Sequence, residues 1–167
     1  MNTADMSALL QELESLSFES MYGSDFLLTW NHTEDELRAV LAVSEALRRL
    51  RSDGVSPRIF DSVLAVSLFR DNSTRTRFSF ASAANLLGLA VQDLDEKKSQ
   101  IAHGETVRET AVMISFLSEV IGIRDDMYIG HGHEYMVEVG ESLTDAHESG
   151  LLERRPSIVN LQCDRDH

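Results

Sequence analysis

The feature that most constrains this chain is a short apolar run followed at once by a polar turn and a helical pattern. The run Ser62–Phe69 is apolar and partly β-branched, which favours a strand buried on both faces of a sheet. The polar turn Arg70–Ser73 follows, and the stretch from Thr76 to Leu87 then leads to Gly88, a helix stop. A strand that passes directly into a helix is typical of a parallel α/β sheet.

The alternation of strands and helices continues along the sequence. Further strands are predicted at Leu89–Leu94, Ile121–Arg124 and Ser157–Leu161. Helices are predicted at Met6–Leu16, at Glu105–Val120, across the acidic segment that contains Glu134–Glu148, and from a capping box at Thr33 to Asp53. We therefore predict a Rossmann-like α/β fold, in which a parallel sheet of about four strands is flanked by helices in three layers, α/β/α.

Polar or charged clusters directly follow three of the four predicted strands. In parallel sheets the ligand lies outside the carboxyl ends of the strands, so these clusters should meet in one crevice. We expect the functional side chains to lie in that crevice.

Composition excludes some classes of partner. The 167 residues include 15 basic and 28 acidic side chains, which give a formal net charge of −13. This charge argues against binding to a nucleic-acid backbone, although a few local arginines can still make a pocket positive for a small anion. No apolar run approaches the ~18–20 residues that span a bilayer. The first basic residue is Arg38, and Cys163 is the only cysteine. We therefore expect a cytoplasmic protein whose partners include neither a membrane nor a nucleic acid.

The run Ser73–Arg77 lies at the predicted junction between a strand and a helix. Unpaired backbone N–H groups and the positive end of the helix dipole meet at such a junction, where hydroxyls and arginines add donors for phosphate oxygens. The alternative is ordinary helix capping by Ser73 or Thr74 beside surface arginines. Two arginines interleaved with three hydroxyls directly after a buried strand favour a site for a phosphate-bearing ligand.

The same residues resemble a known family. The segment Phe69–Phe80 matches, at every fixed position, the pattern F-x-x-x-S-T-R-T-R-x-S-F of the carbamoyl-phosphate loop in aspartate and ornithine carbamoyltransferases. The similarity continues through Leu87-Gly88, Ser99-Gln100, His103–Thr106 and Arg124 to His167. The resemblance implies that residues 25–167 form the N-terminal, carbamoyl-phosphate-binding domain of such an enzyme, preceded by a helical extension over residues 1–24.

The resemblance also implies a role for each matching residue. Arg124 and His167 would be catalytic, since they match residues that contact the carbamoyl phosphate and its carbonyl oxygen. Gln100 would bind substrate from a loop that reaches into a neighbouring subunit's site, because family members are homotrimers. Phosphate is a tolerable leaving group, so the reaction needs no metal or other cofactor. The positions that would hold the phosphate and carbamoyl ends of the substrate are Ser73, Thr74, Arg75 and Thr76.

Two features differ from the ordinary family pattern. The family continues beyond the position of His167 with Pro-x-Gln and a second domain for the amine acceptor, and we expect the coding sequence to continue in the same way. The stretch Met127–Pro156 is longer than in ordinary ornithine carbamoyltransferases and, with Arg70–Asn72, resembles the YgeW-type carbamoyltransferases. The acceptor, an amino acid or a related amine, is not readable here. The expected function is carbamoyl transfer, with this piece inactive alone; the alternative is a non-catalytic module that binds a phosphorylated metabolite or assembles with partners.

Two other groups of residues are weaker candidates for sites. His131, His133 and Glu134 with His147 could ligate a metal, but their segment is glycine-rich and leads into a helix, which favours a surface histidine cluster. Cys163 could be a nucleophile, although a lone cysteine after a buried strand is more often inert.

Overall fold

The sheet forms because four short apolar segments pair side by side in one direction. The computed structural model describes residues 3–95 and 104–166. Its strands lie in the order β2-β1-β3-β4 with every pairing parallel, which confirms the predicted sheet. The chain leaves β1 for β2 on one side and returns to β3 on the other, so a crevice opens at the carboxyl ends of β1 and β3. The strands are β1 (Val63–Phe69), β2 (Leu89–Leu94), β3 (Val120–Asp125) and β4 (Ser157–Cys163).

Helices follow from the amphipathic and capping patterns of the sequence. The capping box predicted at Thr33 is confirmed: its hydroxyl accepts from the Glu36 N–H at 3.2 Å, and the Glu36 carboxylate accepts from the Thr33 N–H at 2.8 Å. Within the described ranges no helix is both long enough and apolar enough to cross a bilayer. The helices are α1 (Thr3–Ser15), α2 (Glu34–Ser52), α3 (Arg75–Leu87), α4 (Val107–Ser115) and α5 (His131–Glu148), with short 3₁₀ turns at Glu19–Met21 and Thr29–Asn31. The division into residues 1–24 and 25–167 stays a prediction.

Each face of the sheet buries its own set of apolar side chains, which confirms the three layers. On one face α3 packs through Ala84 and Phe80 against β1 and β2. Gly122 on β3 allows this approach, since a Cβ there would lie only 2.6 Å from the ring of Phe80. On the other face α4 and α5 cover a larger cluster that includes Ile121, Ile123, Met136, Leu143 and Ile158.

The helix predicted at Glu105–Val120 is shorter than expected. It runs from Val107 to Ser115, and the chain then turns before β3 begins at Val120. The turn brings the backbone N–H of Glu119 to 2.9 Å from the carbonyl oxygen of Leu64, which starts the pairing of β3 with the sheet. The helical pattern extended into this turn because Phe116 and Leu117 are also apolar.

A segment before α2 is anchored to the outer edge of β4. Phe26 exchanges backbone hydrogen bonds with Ile158 and Asn160, both at 2.8 Å. The carboxylate of Asp25 accepts from the Arg155 guanidinium and, at 2.8 Å, from the Ile158 N–H. The side chains of Asp25 and Arg155 are only 15% and 13% exposed, so this ion pair is largely removed from water.

Candidate active site

The start of α3 keeps its hydrogen-bond donors unpaired. Thr74 stands at the N-cap but makes no side-chain cap hydrogen bond, whereas α2 and α4 both begin with complete capping boxes. The first helical hydrogen bond runs from the Phe78 N–H to the Thr74 carbonyl at 3.1 Å. In the part of the chain that the structure describes, the side chains of Ser73, Thr74 and Arg75 have no partner. Ordinary helix capping therefore does not explain these residues.

The two arginines of the loop have different surroundings. Arg77 donates to the carboxylate of Asp93 and lies over the ring of Phe69 at 4.2 Å. Asp93 is itself held by the Ser67 hydroxyl at 2.7 Å, so Arg77 joins α3 to β1 and β2. Arg75 is exposed. Arg75 is thus the cation that the loop offers to a ligand.

Arg124 brings the end of β3 against the first turn of α3. Its side chain is 12% exposed, and its Nη1 donates to the Thr76 hydroxyl at 2.9 Å. Its Nε donates to both carboxylate oxygens of Asp71, at 3.0 and 2.9 Å. Because the Thr76 oxygen accepts from Arg124, the Thr76 O–H remains able to donate to a ligand oxygen. Arg124 therefore holds Thr76 in place, and the Thr76 O–H is a donor at this point of the crevice.

Two carboxylates share the charge of Arg124. Asp126 accepts from its Nη2 at 3.3 Å and lies next to Asp71. A hydrogen bond with Asp71, burial, and the negative charge of Asp71 together raise the pKa of Asp126, although Arg124 acts to lower it. Two carboxyl groups beside a single cation retain a proton more readily than one does.

The loops after β3 and β4 are tied to each other and to the loop after β1. Arg70 donates to the buried carboxylate of Asp125 at 2.9 Å. Asp164 accepts from the backbone N–H groups of Gly130 at 2.7 Å and His133 at 2.9 Å. Burial alone would raise the pKa of Asp164, but these two N–H groups, its own backbone N–H and the charge of Arg165 together hold the pKa below its ordinary value. These contacts make the carboxyl edge of the sheet a connected structure.

The structure brings together most of the predicted site residues that it describes. Ser73, Thr74, Arg75 and Thr76 lie in sequence at the start of α3, and Arg124 contacts Thr76 directly. Gln100 and His167 lie outside the described residues, so their roles stay predictions. Sequence reasoning missed three contacts of Arg124. A polar residue at or just after the end of a strand was the one sequence signal that could have indicated these contacts. The three residues are Asp71, Asp126 and Gln162.

The weaker candidates gain no support from the geometry. The ring of His147 lies 2.9 Å from the carbonyl oxygen of Leu152. His131 is exposed on the surface beside Tyr128. Among residues 3–95 and 104–166, no three His, Cys, Asp or Glu side chains are grouped in a way that could hold a metal ion. Cys163 is fully buried.

Sequence comparisons identify the chain's relatives. Residues 24–167 match the family model of the aspartate/ornithine carbamoyltransferase carbamoyl-phosphate-binding domain. The chain is 60% identical over 162 residues to "Putative carbamoyltransferase YgeW" of Escherichia coli K12, covering 97% of this chain and 41% of that protein. It is 33% identical over 116 residues to the catabolic ornithine carbamoyltransferase of Treponema denticola, covering 70% of this chain and 34% of that enzyme. The chain thus spans less than half the length of these relatives.

Solved structures show the same fold. The aspartate transcarbamoylase of Trypanosoma cruzi in complex with carbamoyl phosphate and aspartate superimposes with a TM-score of 0.69 and 20% identity, over 88% of this chain and 43% of that one. The same enzyme in complex with N-(phosphonacetyl)-L-aspartic acid gives a TM-score of 0.70 and 21% identity, over 93% and 43%. With the family match over residues 24–167, these findings show that the chain belongs to the aspartate/ornithine carbamoyltransferase family and corresponds to its carbamoyl-phosphate-binding domain.

Proposed function

We propose that this chain binds carbamoyl phosphate at the start of α3 and forms the carbamoyl-donor half of a carbamoyltransferase. The observation that carries the proposal is the uncapped helix end, where Ser73, Thr74 and Arg75 have no described partner. Backbone N–H groups, two hydroxyls and a guanidinium there complement the charge and the oxygens of a phosphate group.

The geometry supports separate roles for two groups of donors, one at the carbonyl oxygen of the substrate and one at its phosphate. In carbamoyl transfer, the amine nitrogen bonds to the carbonyl carbon, the bond from that carbon to the phosphate oxygen breaks, and the leaving phosphate takes the proton from the amine. Negative charge grows on the carbonyl oxygen and on the phosphate as this occurs. Donors already aimed at those atoms lower the barrier because they need not reorganise. Thr76 and Arg124 suit the carbonyl oxygen, and the end of α3 suits the phosphate.

His167 and Gln100 complete the proposed site on the basis of the family pattern. His167 would donate to the carbonyl oxygen beside Arg124. The proteins compared above include an ornithine enzyme and an aspartate enzyme, which supports an amino acid or a related amine as acceptor, bound by a second domain. Bringing both reactants together supplies much of the rate gain in such reactions, so the 167 residues alone should not turn over.

We further propose a cytoplasmic homotrimer in which Gln100 completes a neighbour's site. If sites are shared in this way, full-length subunits that carry Arg75→Ala should regain part of their activity when mixed with subunits that carry Gln100→Ala. Mixed trimers verified by mass spectrometry that show no recovered activity would contradict the shared site.

Titration calorimetry with carbamoyl phosphate tests the binding proposal. Arg75→Ala removes a guanidinium that has no partner among residues 3–95 and 104–166, and it should weaken binding by roughly 1.5–3 kcal/mol, the range for hydrogen bonds to charged groups. The matched control is Arg51→Ala, which removes an exposed arginine in the last turn of α2. Arg51→Ala should bind like the parent chain. Equal affinity for Arg75→Ala and the parent would contradict the assignment.

A further inference from the structure

We infer that Gln162 is a positioning residue for Arg124, turned towards it by a bulge in β4. This role rests on the proposed function, because Arg124 is the residue placed at the carbonyl oxygen of the substrate. An irregularity in the strand pairing places Gln162 beside Arg124. The Gln162 amide forms hydrogen bonds to Arg124 and to the carboxylate of Asp126, which also binds Arg124.

The bulge is visible in the register between β3 and β4. Ile123 pairs with Asn160, but the next residue, Arg124, pairs with Gln162, so Leu161 is an extra residue. Side chains alternate between the two faces of a sheet along a regular strand. Ile158 packs on the α5 face of the sheet. If β4 were regular, residue 162, four positions later, would face α5 as well and would point away from Arg124.

The extra residue resets that alternation. Arg124 reaches Thr76 and so lies on the α3 face of the sheet. Paired residues of neighbouring strands share a face, and the bulge therefore directs Gln162 to the α3 face as well. Leu161 remains packed near Gly122 on that face, where a Cβ on the glycine would lie 3.0 Å from it. Bulges next to functional sites commonly re-aim a side chain in this manner.

The chemistry of an amide fits the place that Gln162 occupies. Its Oε1 accepts from Nη1 of Arg124, and its Nε2 donates to the Asp126 carboxylate at 2.5 Å. A neutral amide offers an acceptor and a donor at once, which neither a carboxylate nor an apolar side chain does. Reversing the amide would set donor against donor and acceptor against acceptor, so the two neighbours fix its orientation.

Gln162 thereby controls which way the Arg124 guanidinium faces. Asp71 holds Nε, Asp126 holds Nη2, and Thr76 shares Nη1 with Gln162. Without the amide, Nη1 loses one acceptor and Asp126 loses a donor, so the guanidinium is drawn towards the two carboxylates and away from Thr76. A ligand oxygen at Thr76 would then meet a misaligned donor.

Three variants test this role by titration calorimetry with carbamoyl phosphate, each compared with the parent chain at matched pH between about 5.5 and 8. Gln162→Met removes both amide contacts at similar volume and should bind about tenfold more weakly at every pH, the loss of one hydrogen bond to a charged group. Gln162→Glu keeps an acceptor for Arg124. It places a third carboxylate beside Arg124, next to those of Asp71 and Asp126. Gln92→Met, an exposed amide on β2, should match the parent.

The pH profile separates positioning from a merely structural role. The loss in Gln162→Glu should shrink as the pH falls, because a proton shared between the carboxyl groups restores the missing donor. Equal affinity for Gln162→Met and the parent overturns the inference, and so does an equal, pH-independent loss in both Gln162 variants. If Gln162→Met does not fold, the pH dependence of Gln162→Glu decides alone. If the parent fails to bind or Arg75→Ala binds like the parent, the proposed function fails, and the role of Gln162 with it.

Discussion

Gly132→Ala should destabilise this chain through a backbone collision at the edge of the candidate site. Gly132 lies in the first turn of α5, where an added Cβ would be 1.8 Å from the carbonyl oxygen of Asp125 and 2.9 Å from its carbonyl carbon. Both are backbone atoms at the end of β3, so no side-chain rotation can relieve the contact. The start of α5 must instead move away from β3 by roughly 1 Å or more, in an interior that is close-packed.

The expected cost follows from two opposed effects. Overpacking of this kind costs about 1–3 kcal/mol, and a clash with backbone belongs at the upper end of that range. Alanine is a better helix former than glycine by about 1 kcal/mol, which offsets part of the loss. The net loss in the free energy of unfolding should be about 2 kcal/mol. Asp164 should also lose hydrogen bonds to the Gly130 and His133 N–H groups as the helix shifts.

Urea unfolding followed by circular dichroism measures this effect. The matched control is Gly140→Ala in the same helix, where the nearest atom to an added Cβ is Oδ2 of Asp25 at 3.4 Å, an ordinary contact. There the gain in helix propensity should act alone and stabilise the chain by about 0.5–1 kcal/mol. A Gly132→Ala chain as stable as the Gly140→Ala chain would refute the reasoning.

Two further changes test the charged groups. Asp25→Ala leaves the Arg155 guanidinium largely buried without its partner and should lower the free energy of unfolding by about 3 kcal/mol. The control Asp25→Asn keeps an acceptor for Arg155 and should lose less stability. Equal urea midpoints for the parent and Asp25→Ala would contradict this prediction. The raised pKa of Asp126 means that the folded chain keeps a proton which the unfolded chain releases near 3.8, so stability falls as the pH rises from there through the raised pKa. Asp126→Asn should remove the part of that fall which begins near pH 3.8. Parallel stability profiles for the two chains would count against this.

The sequence by itself determined where the four strands lie and the local form of the loop Ser73–Arg77. Apolar runs such as Ser62–Phe69 favour buried strands wherever they pair, and the Thr33 capping box closes within four residues, so both are properties of short segments. The run Ser73–Arg77 is equally local, since a strand, a turn and a helix start suffice to place its donors. Local patterns of this kind survive in almost any tertiary arrangement, and the structure confirmed the four strands and the Thr33 helix start.

Tertiary structure alone decided which of these residues are available and how they are aimed. Arg75 and Arg77 are equivalent in the sequence, and only the position of Asp93 on β2 pairs one of them and leaves the other exposed. Arg124 takes its contacts from Asp71, 53 residues away, and Gln162, 38 residues away. Such contacts depend on the order of the strands and on one extra residue in β4. Both are set by long-range pairing and packing, which no short segment of the chain encodes.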